Sequence, residues 1–316
     1  MRLFKNPTYD FMKVRKTAFM ISGILILASL VSLILHGGPR YGIDFRGGTL
    51  LEYRFEDTAN PGTEVSVPID EVRSVFTQAG YPNAEVKYYG STQDVAVQVD
   101  VGDVTQEIDE QLSGFVAKLQ EALPQFSVEE RRRESVGPKV GQELVLSALG
   151  AIFFSMLLIL IYIMFRFEFR FGVGAVAALF HDITITLGFF SLMDIEITTP
   201  VIAALLTIIG YSLNDTIVVF DRIRENLKSF KRKVSNYSGL VNDSINETLS
   251  RTIVTSGTTL IVVVVLYLFG GEVIKDFAEA LICGIVVGTY SSIFVASPIL
   301  VEWEERRVSK IAEDRK

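Results

Sequence analysis

The chain has 316 residues, of which 49% are hydrophobic, and it carries a formal net charge of −7. Its mean hydropathy is +0.36, and the apolar residues form long runs, which excludes an ordinary soluble enzyme. Residues 40–142 hold 18 acidic and 10 basic side chains, so the negative charge belongs to this segment and argues against nucleic-acid binding.

Six apolar runs are long enough to cross a membrane as helices. A hydrocarbon core about 30 Å thick requires about 20 helical residues. The first run is longer than a signal-peptide core and no A-x-A site follows it, which predicts an uncleaved anchor. The predicted spans are 17–36, 144–165, 172–193, 198–220, 252–270 and 277–300.

Positively charged residues predict the orientation of these spans. The loop between spans three and four and the loop between spans five and six together contain one basic residue, Lys275. The Lys and Arg residues are concentrated in the segments 1–16, 166–170, 221–251 and 301–316. By the positive-inside rule both termini and a loop at 221–251 are cytoplasmic. The segment 37–143 then lies on the far side, which is the periplasm of a Gram-negative cell, and 144–300 forms a five-helix bundle.

The segment after the first span alternates between strand and helix patterns. Val95, Val97 and Val99 alternate as in a half-buried strand, and Pro124 ends an amphipathic helix. The predicted elements are strands at 49–55, 84–89, 94–101 and 126–133 and helices at 69–79 and 105–123. This β-α-β-β-α-β order is that of the ferredoxin-like fold. The sequence therefore predicts an α-helical membrane protein with six transmembrane helices and an inserted α+β ferredoxin-like periplasmic domain, which serves for binding or as a spacer.

Ionisable side chains inside membrane spans are costly and therefore indicate function. The third span contains His181 and Asp182, the fourth contains Asp215, and the fifth begins at Arg251. The antiparallel course of spans four and five puts Asp215 and Arg251 at similar depth, in reach of one another if the helices pack. An aspartate that moves between an apolar and an arginine-facing setting would load and release a proton.

Hydroxyl side chains lie at helical spacing from Asp215 and from Arg251. Tyr211 and Thr207 precede Asp215 by four and eight residues, and Thr255, Thr258 and Thr259 follow Arg251 at helical spacing. Facing stripes of this kind predict a hydrated path or a polar seam. Two simpler interpretations stay open: a fixed Asp–Arg pair between helices, and a His181 that only bonds a neighbouring hydroxyl.

Several functional classes have no support in the sequence. No G-x-x-x-x-G-K-[ST] motif for ATP binding and no H-E-x-x-H zinc motif occurs. The single cysteine, Cys283, permits neither a disulfide within the chain nor a cysteine zinc site. We therefore expect no metal, no cofactor and no enzymatic activity, and we expect any work to be driven by an ion gradient.

Five motifs together resemble the SecD/SecF family of protein-export membrane proteins over nearly the whole chain. They are Tyr41–Thr49, Val136–Gly141, His181-Asp182, the segment from Gly210 through Asp215 to Asn226, and Arg251-Thr252 with Thr255–Thr259. The resemblance implies six helices of a twelve-helix, RND-like assembly shared with SecD and attached to the SecYEG channel and YajC. Such an assembly uses the proton-motive force to export unfolded polypeptides across the bacterial cytoplasmic (inner) membrane.

The resemblance also implies roles for individual residues. The implied proton-pathway residues are Asp215, Arg251, Asp182, His181, Thr255, Thr259, Tyr211 and Asn214. The implied joints between the periplasmic domain and the membrane helices are Gly42, Asp44, Arg46, Gly47, Gly48, Gly137, Pro138 and Gly141. The residues alone leave open a small-molecule RND-type transporter half, a structural scaffold of the translocon, and sodium in place of protons.

Overall fold

The computed structural model describes residues 7–100, 111–229 and 236–313. In chain order its main elements are α1 (Arg15–Leu35), α2 (Ile43–Arg46), β1 (Gly48–Asp57), α3 (Ile69–Gln78), β2 (Glu85–Tyr89), β3 (Ser91–Val99), α4 (Phe115–Ala122), β4 (Phe126–Val136), α5 (Pro138–Arg166), α6 (Phe169–Met193), α7 (Thr199–Ser229), α8 (Tyr237–Phe269), α9 (Lys275–Ser291) and α10 (Ser297–Glu313). The chain divides into a membrane unit, Met1–Arg40 with Gly150–Lys316, and a head unit, Tyr41–Leu149.

The head unit has the predicted ferredoxin-like topology. Its four strands form one antiparallel sheet in the order β2-β3-β1-β4. Alternate residues of β1, namely Leu51, Tyr53 and Phe55, are fully buried, and the rings of Phe76 and Phe115 stack at 4.1 Å between centroids. This alternation is what a sheet with one covered face requires. The predicted strand end at Val101 and the start of the predicted helix 105–123 lie outside the described residues.

The six predicted spans are confirmed as helices. Within the described residues, six helical stretches are long and apolar enough to cross a membrane. The sixth stretch joins α9 to α10 through a π-helical turn, Ser292–Ala296. α9 packs closely on α7 because Gly284 and Gly288 leave room for Ile208 and Ser212, so that a Cβ added at Gly284 would overlap the Ile208 side chain.

The predicted loop 221–251 is largely helical. α7 continues to Ser229 and α8 begins at Tyr237, while residues 230–235 lie outside the described residues. Val241, Ile245 and Leu249 of α8 are buried, so apolar residues recur here at helical spacing although the average hydropathy is too low for a span. The predicted tail 301–316 is likewise helical as far as Glu313.

The segment before α1 is held by α8 through main-chain groups. Asn246 Oδ1 accepts a hydrogen bond from the Tyr9 amide at 2.9 Å, and Asn242 Oδ1 accepts one from the Phe11 amide at 2.8 Å. Both asparagine side chains also donate to the Tyr9 carbonyl oxygen, at 2.9 and 2.8 Å. Asn242 and Asn246 are one helical turn apart, so together they form an amide clamp on this segment.

Candidate functional site

Asp182 lies at the centre of a hydrogen-bond network inside the membrane unit. Its side chain is fully buried, and its Oδ2 accepts bonds from Ser212 Oγ of α7 at 2.5 Å and Ser291 Oγ of α9 at 2.8 Å. The neighbouring His181 places Nδ1 2.8 Å from Asp182 Oδ1. Three helices therefore meet at one carboxylate, and the π-helical turn begins directly after Ser291.

His181 extends this network to the first helix. Its Nε2 lies 3.1 Å from Ser22 Oγ of α1, and Ser22 Oγ lies 3.2 Å from the Tyr290 hydroxyl. That hydroxyl donates to the Ala18 carbonyl oxygen at 2.9 Å. The imidazole is thus bonded on both ring nitrogens, which fixes its orientation between the carboxylate and α1.

Asp215 forms a second polar centre, one turn of α7 beyond Ser212. Its exposed fraction is 2%, and its Oδ2 accepts a bond from Ser256 Oγ of α8 at 2.9 Å. Because Ser212 bonds Asp182 and the next turn carries Asp215, a single helix connects the two carboxylates. A shift of α7 along its axis would disturb both centres together.

Arg251 does not reach Asp215. Among the described residues no Lys or Arg nitrogen lies within 4.0 Å of the Asp215 carboxylate, and Arg251 is exposed on a cavity of about 830 Å³ that Asp221 and Glu247 also line. Arg251 and Ser256 are five residues apart, which is about 140° around a helix, so they face different directions. The expected direct contact between the two charges is therefore not made in this structure.

Among the described residues no hydrogen bond links the other predicted pathway residues of α7 to those of α8. Thr259 Oγ1 donates to the Thr255 carbonyl oxygen at 3.0 Å, so this hydroxyl bonds its own helix. Asn214 is exposed, and the buried Tyr211 hydroxyl has no hydrogen-bond partner among the described residues. The buried polar face of α8 instead carries Ser256, one position away from the predicted stripe.

The two predicted joint motifs pack against each other inside the head unit. A Cβ added at Gly141 would lie 2.7 Å from the Phe45 carbonyl oxygen, and one at Gly47 would lie 3.0 Å from Pro138 Cα. Gly48 has a φ of +119°, and a Cβ there would lie 2.7 Å from the Val99 carbonyl oxygen. The start of α5 therefore lies directly against the α2–β1 turn, an approach that only glycine permits.

The described residues contain no group of three or more His, Cys, Asp or Glu side chains that could hold a metal ion. Cys283 is free and half-buried. The chemistry of the two polar centres consequently consists of carboxylate, imidazole and hydroxyl groups, which bind and transfer protons and accept or donate hydrogen bonds.

Comparisons with known proteins identify the family. The family described as "Protein export membrane protein SecD/SecF, C-terminal" matches residues 116–306, and the "SecD/SecF GG Motif" matches residues 32–59. The chain belongs to the SecD/SecF family. The protein translocase subunit SecF of Rhodothermus marinus is 46% identical, over 98% of both chains. That of Desulfurispirillum indicum is 46% identical, over 94% of this chain and 92% of the relative.

Two solved structures share the fold. The crystal structure of SecDF from Thermus thermophilus, titled a translocon-associated membrane protein, is 37% identical with a TM-score of 0.81, over 95% of this chain and 39% of that one. SecDF in its super-membrane-facing form is 35% identical with a TM-score of 0.69, over 99% and 41%. This chain thus spans about two-fifths of the SecDF chains, and as a SecD/SecF-family member it is a multi-pass protein-export subunit.

The SecD/SecF-family motifs in the sequence contain only part of the site. Ser212 and Ser256 lie within motif segments, but their partners could not be read from the motifs. Ser22, Tyr290 and Ser291 lie outside them. A serine in a span is common, because it can bond its own helix. What distinguishes these serines is their position around Asp182, His181 and Asp215, which depends on how the helices pack.

Proposed function

We propose that this SecD/SecF-family chain is a non-catalytic accessory subunit of the Sec translocase that couples the proton-motive force to the export of unfolded polypeptides. It acts with SecD at the SecYEG channel, with YajC as a further associated subunit. The observation that carries the proposal is a pair of buried carboxylates, Asp182 of α6 and Asp215 of α7. Asp182 accepts a bond from Ser212, which lies one turn before Asp215 on α7, and Asp215 accepts a bond from Ser256 of α8.

The environment of Asp215 supports proton binding at that group. A carboxylate inside a bundle is stabilised by a bound proton or by an approaching cation, and in this structure Ser256 supplies only a neutral hydroxyl. Protonation changes the carboxyl group from a pure acceptor into a donor as well. The carbonyl oxygen of the acid can still accept from Ser256, but the added O–H needs an acceptor of its own. This new donor between α7 and α8 is the local change that a proton-driven machine requires.

The energies favour proton passage as the driving event. A proton that crosses a potential of about 100 mV releases about 2.3 kcal/mol. A hydrogen bond between membrane helices contributes about 0.6 kcal/mol on average. One proton therefore outweighs several of the bonds around Asp182, such as the one from Ser291. Repeated proton passage is enough to break and remake this network in each cycle.

An exposed stripe on α7 supports SecD as a direct partner. Ala203, Thr207, Gly210 and Asn214 are all exposed and follow one another at intervals of four, three and four residues. Small and polar residues on one face of a span are typical of contacts between helices rather than with lipid. The stripe lies on the same helix as Asp215, so a partner seated there would sense the state of the carboxylate.

The topology of the proposal follows from charge. The Lys and Arg residues of the two termini support a cytoplasmic location for both at the bacterial inner membrane, with the head unit in the periplasm. The contact between the GG motif and the start of α5 is proposed as the joint through which motion of the membrane helices reaches the head unit. The sequence motifs and the close backbone approach at Gly141 support this role.

Asp215→Asn tests the coupling. Export of a secretory precursor would be measured in proteoliposomes that contain this chain, SecD, SecYEG and the export ATPase, with and without a proton gradient. We expect the variant to lose the gradient-dependent acceleration, because an amide cannot bind and release a proton. A sodium gradient replaces the proton gradient in a parallel series, in which we expect no acceleration.

Asp194→Asn is the matched control, since Asp194 is 72% exposed and its φ of 56° suits asparagine equally well. It should export at the wild-type rate. Gradient-dependent export by Asp215→Asn at the wild-type rate contradicts the proposal.

Gly210→Leu separates coupling from assembly. Gly210 is exposed, and a Cβ there would meet no heavy atom within 4 Å beyond its chain neighbours and its own helix backbone, so we expect a leucine to leave the packing of this chain intact. We expect Gly210→Leu to reduce co-purification with SecD, whereas Asp215→Asn should co-purify as the wild type does. Equal SecD recovery with Gly210→Leu would remove the α7 stripe as the contact surface.

A further inference from the structure

A cavity of about 670 Å³ lies between α1 and α10, where α1 begins. Its apolar lining comes from Phe19, Ile299 and Trp303. Its positively charged lining comes from Arg306, Arg307 and Lys310. The cavity therefore combines an apolar floor with a cationic rim at the end of a membrane-spanning helix.

Among the described residues, the acidic residues of α10 pair with only one of the three rim cations, Arg307. Each of its glutamates near the cavity is ion-paired with an arginine: Glu302 and Glu305 with Arg15 at 3.1 and 2.7 Å, and Glu304 with Arg170 and Arg307 at 2.8 and 3.0 Å. Within the described part of the chain, Arg306 and Lys310 are in no ion pair. These two cations are one helical turn apart and line the same cavity, so their charges add there.

The position of the cavity indicates which ligand fits it. Arg15 begins α1 and pairs with Glu305, so the cavity lies at the membrane surface on the side of the chain termini. Trp303 is 41% exposed, and tryptophan is enriched where hydrocarbon meets the headgroup region. Basic pockets between transmembrane helices at this level suit the phosphate of an anionic lipid. Phe19 and Ile299 are themselves only half-buried, so the apolar floor keeps surface that hydrocarbon can contact.

We propose that this cavity binds an anionic phospholipid, with Arg306 and Lys310 on the headgroup phosphate and the acyl chain along Phe19 and Ile299. An acidic protein segment would satisfy the cations but would leave the apolar floor open to hydrocarbon. A lipid satisfies both parts of the lining. The site lies apart from the Asp182 and Asp215 centres, and its occupation does not depend on proton coupling.

The single tryptophan makes the test direct. Trp303 is the only tryptophan in the chain, so all tryptophan fluorescence of the full chain reports on this cavity. The chain would be reconstituted in vesicles of phosphatidylcholine and phosphatidylglycerol in which either one or the other carries brominated acyl chains, which quench tryptophan on contact. We expect the brominated anionic lipid to quench Trp303 more strongly than the brominated zwitterionic lipid at the same mole fraction.

Arg306→Gln/Lys310→Gln should reduce the preference of the site for the anionic over the zwitterionic lipid roughly tenfold, since each cation near the surface contributes to anionic lipid binding. Lys13→Gln/Lys228→Gln removes the same charge from exposed positions outside the cavity and should retain the selectivity. Unchanged quenching by brominated phosphatidylcholine alone verifies that Trp303 of each variant still lies in the bilayer.

Three outcomes would overturn the proposal. The first is equal quenching by the two lipids in the wild-type chain, and the second is full selectivity in Arg306→Gln/Lys310→Gln. The third is displacement of the anionic lipid by inorganic phosphate, which would assign the cations to a free anion.

Discussion

The head unit and the membrane unit both have apolar cores but differ in where carboxylates and exposed aromatic rings lie. In the head unit the aromatic rings of Phe76 and Phe115 are buried and the ion pairs lie outside. In the membrane unit Asp182 is fully buried, while Phe165 and Phe269 are 88% and 81% exposed. Each unit buries the side chains that its surroundings solvate poorly, which are apolar side chains in water and charged side chains in lipid. The same type of substitution should therefore have different consequences in the two units.

Phe76→Ala should give the largest effect of this kind. The ring is fully exposed to water on unfolding, and its removal leaves a cavity beside Phe115, so we expect a loss of about 3–5 kcal/mol in the unfolding free energy of the head unit. Hydrogen exchange of β1 and α3 peptides in the full chain measures it. Phe153→Ala is the matched control, because Phe153 is 63% exposed on a membrane helix and should cost less than about 1 kcal/mol. Equal losses would remove the contrast between the units.

Ser291→Ala should have a smaller effect on stability. It removes one of the two serine bonds to Asp182 Oδ2, and interhelical hydrogen bonds in membranes contribute about 0.6 kcal/mol on average. Detergent-induced unfolding in bicelles measures the change. Ser292→Ala is the neighbouring control, since Ser292 Oγ bonds only the Thr289 carbonyl oxygen of its own helix. A loss above about 2 kcal/mol for Ser291→Ala would contradict this expectation, because it exceeds what one hydrogen bond between membrane helices contributes.

The smallest effect concerns acid stability of the head unit. A hydrogen bond from Arg54 lowers the pKa of Asp94, which accepts Arg54 Nε and Nη2 at 2.8 Å each. Because the folded pKa is depressed, this stabilisation is present above the unfolded pKa and is lost as pH falls through the folded value. The stability of the head unit should therefore fall less steeply with decreasing pH in Asp94→Asn than in the wild type. Thermal unfolding from about pH 5 to pH 2 measures it.

Asp70→Asn is the control for this profile, because Asp70 is 88% exposed although it also pairs with an arginine, Arg73. Its stability should follow the wild-type pH dependence, since exposed pairs are screened by solvent. If Asp94→Asn and Asp70→Asn gave the same profile, the geometry of the Arg54 contact would have no special effect.

The elements that the sequence specifies best are those governed by a single physical requirement. Span length follows from membrane thickness, and strand alternation at Val95–Val99 follows from one covered face, so both were predictable. The segment 221–251 was not, because its helices combine a buried apolar face with many charges and fail a test of average hydropathy. Their helical spacing, at Val241, Ile245 and Leu249 for example, was present in the sequence.

The candidate site divides in a similar way. Asp182 and Asp215 could be identified because an ionisable group inside a span is rare. Their partners could not, because Ser212, Ser291 and Ser256 are common residues whose role depends on which helices face one another. Depth alone suggested that Arg251 reaches Asp215. Rotation around α8, which hydropathy does not specify, turns Arg251 from direct contact with the Asp215 carboxylate towards the cavity that Asp221 and Glu247 line.

The amide clamp on the segment before α1 has a consequence for biogenesis. Tyr9 and Asn246 are 237 positions apart, so the segment leaves the ribosome long before its partner helix is synthesised. Until α8 inserts, the Tyr9 main-chain groups have only water or lipid headgroups as partners. Docking of this segment is therefore a late step in assembly, which follows the insertion of α8. The clamp bonds main-chain groups, so its hydrogen bonds do not depend on the side chains at positions 9–11, although the Phe11 ring packs against Phe294. A proline at position 11 would delete a donor and leave the clamp incomplete.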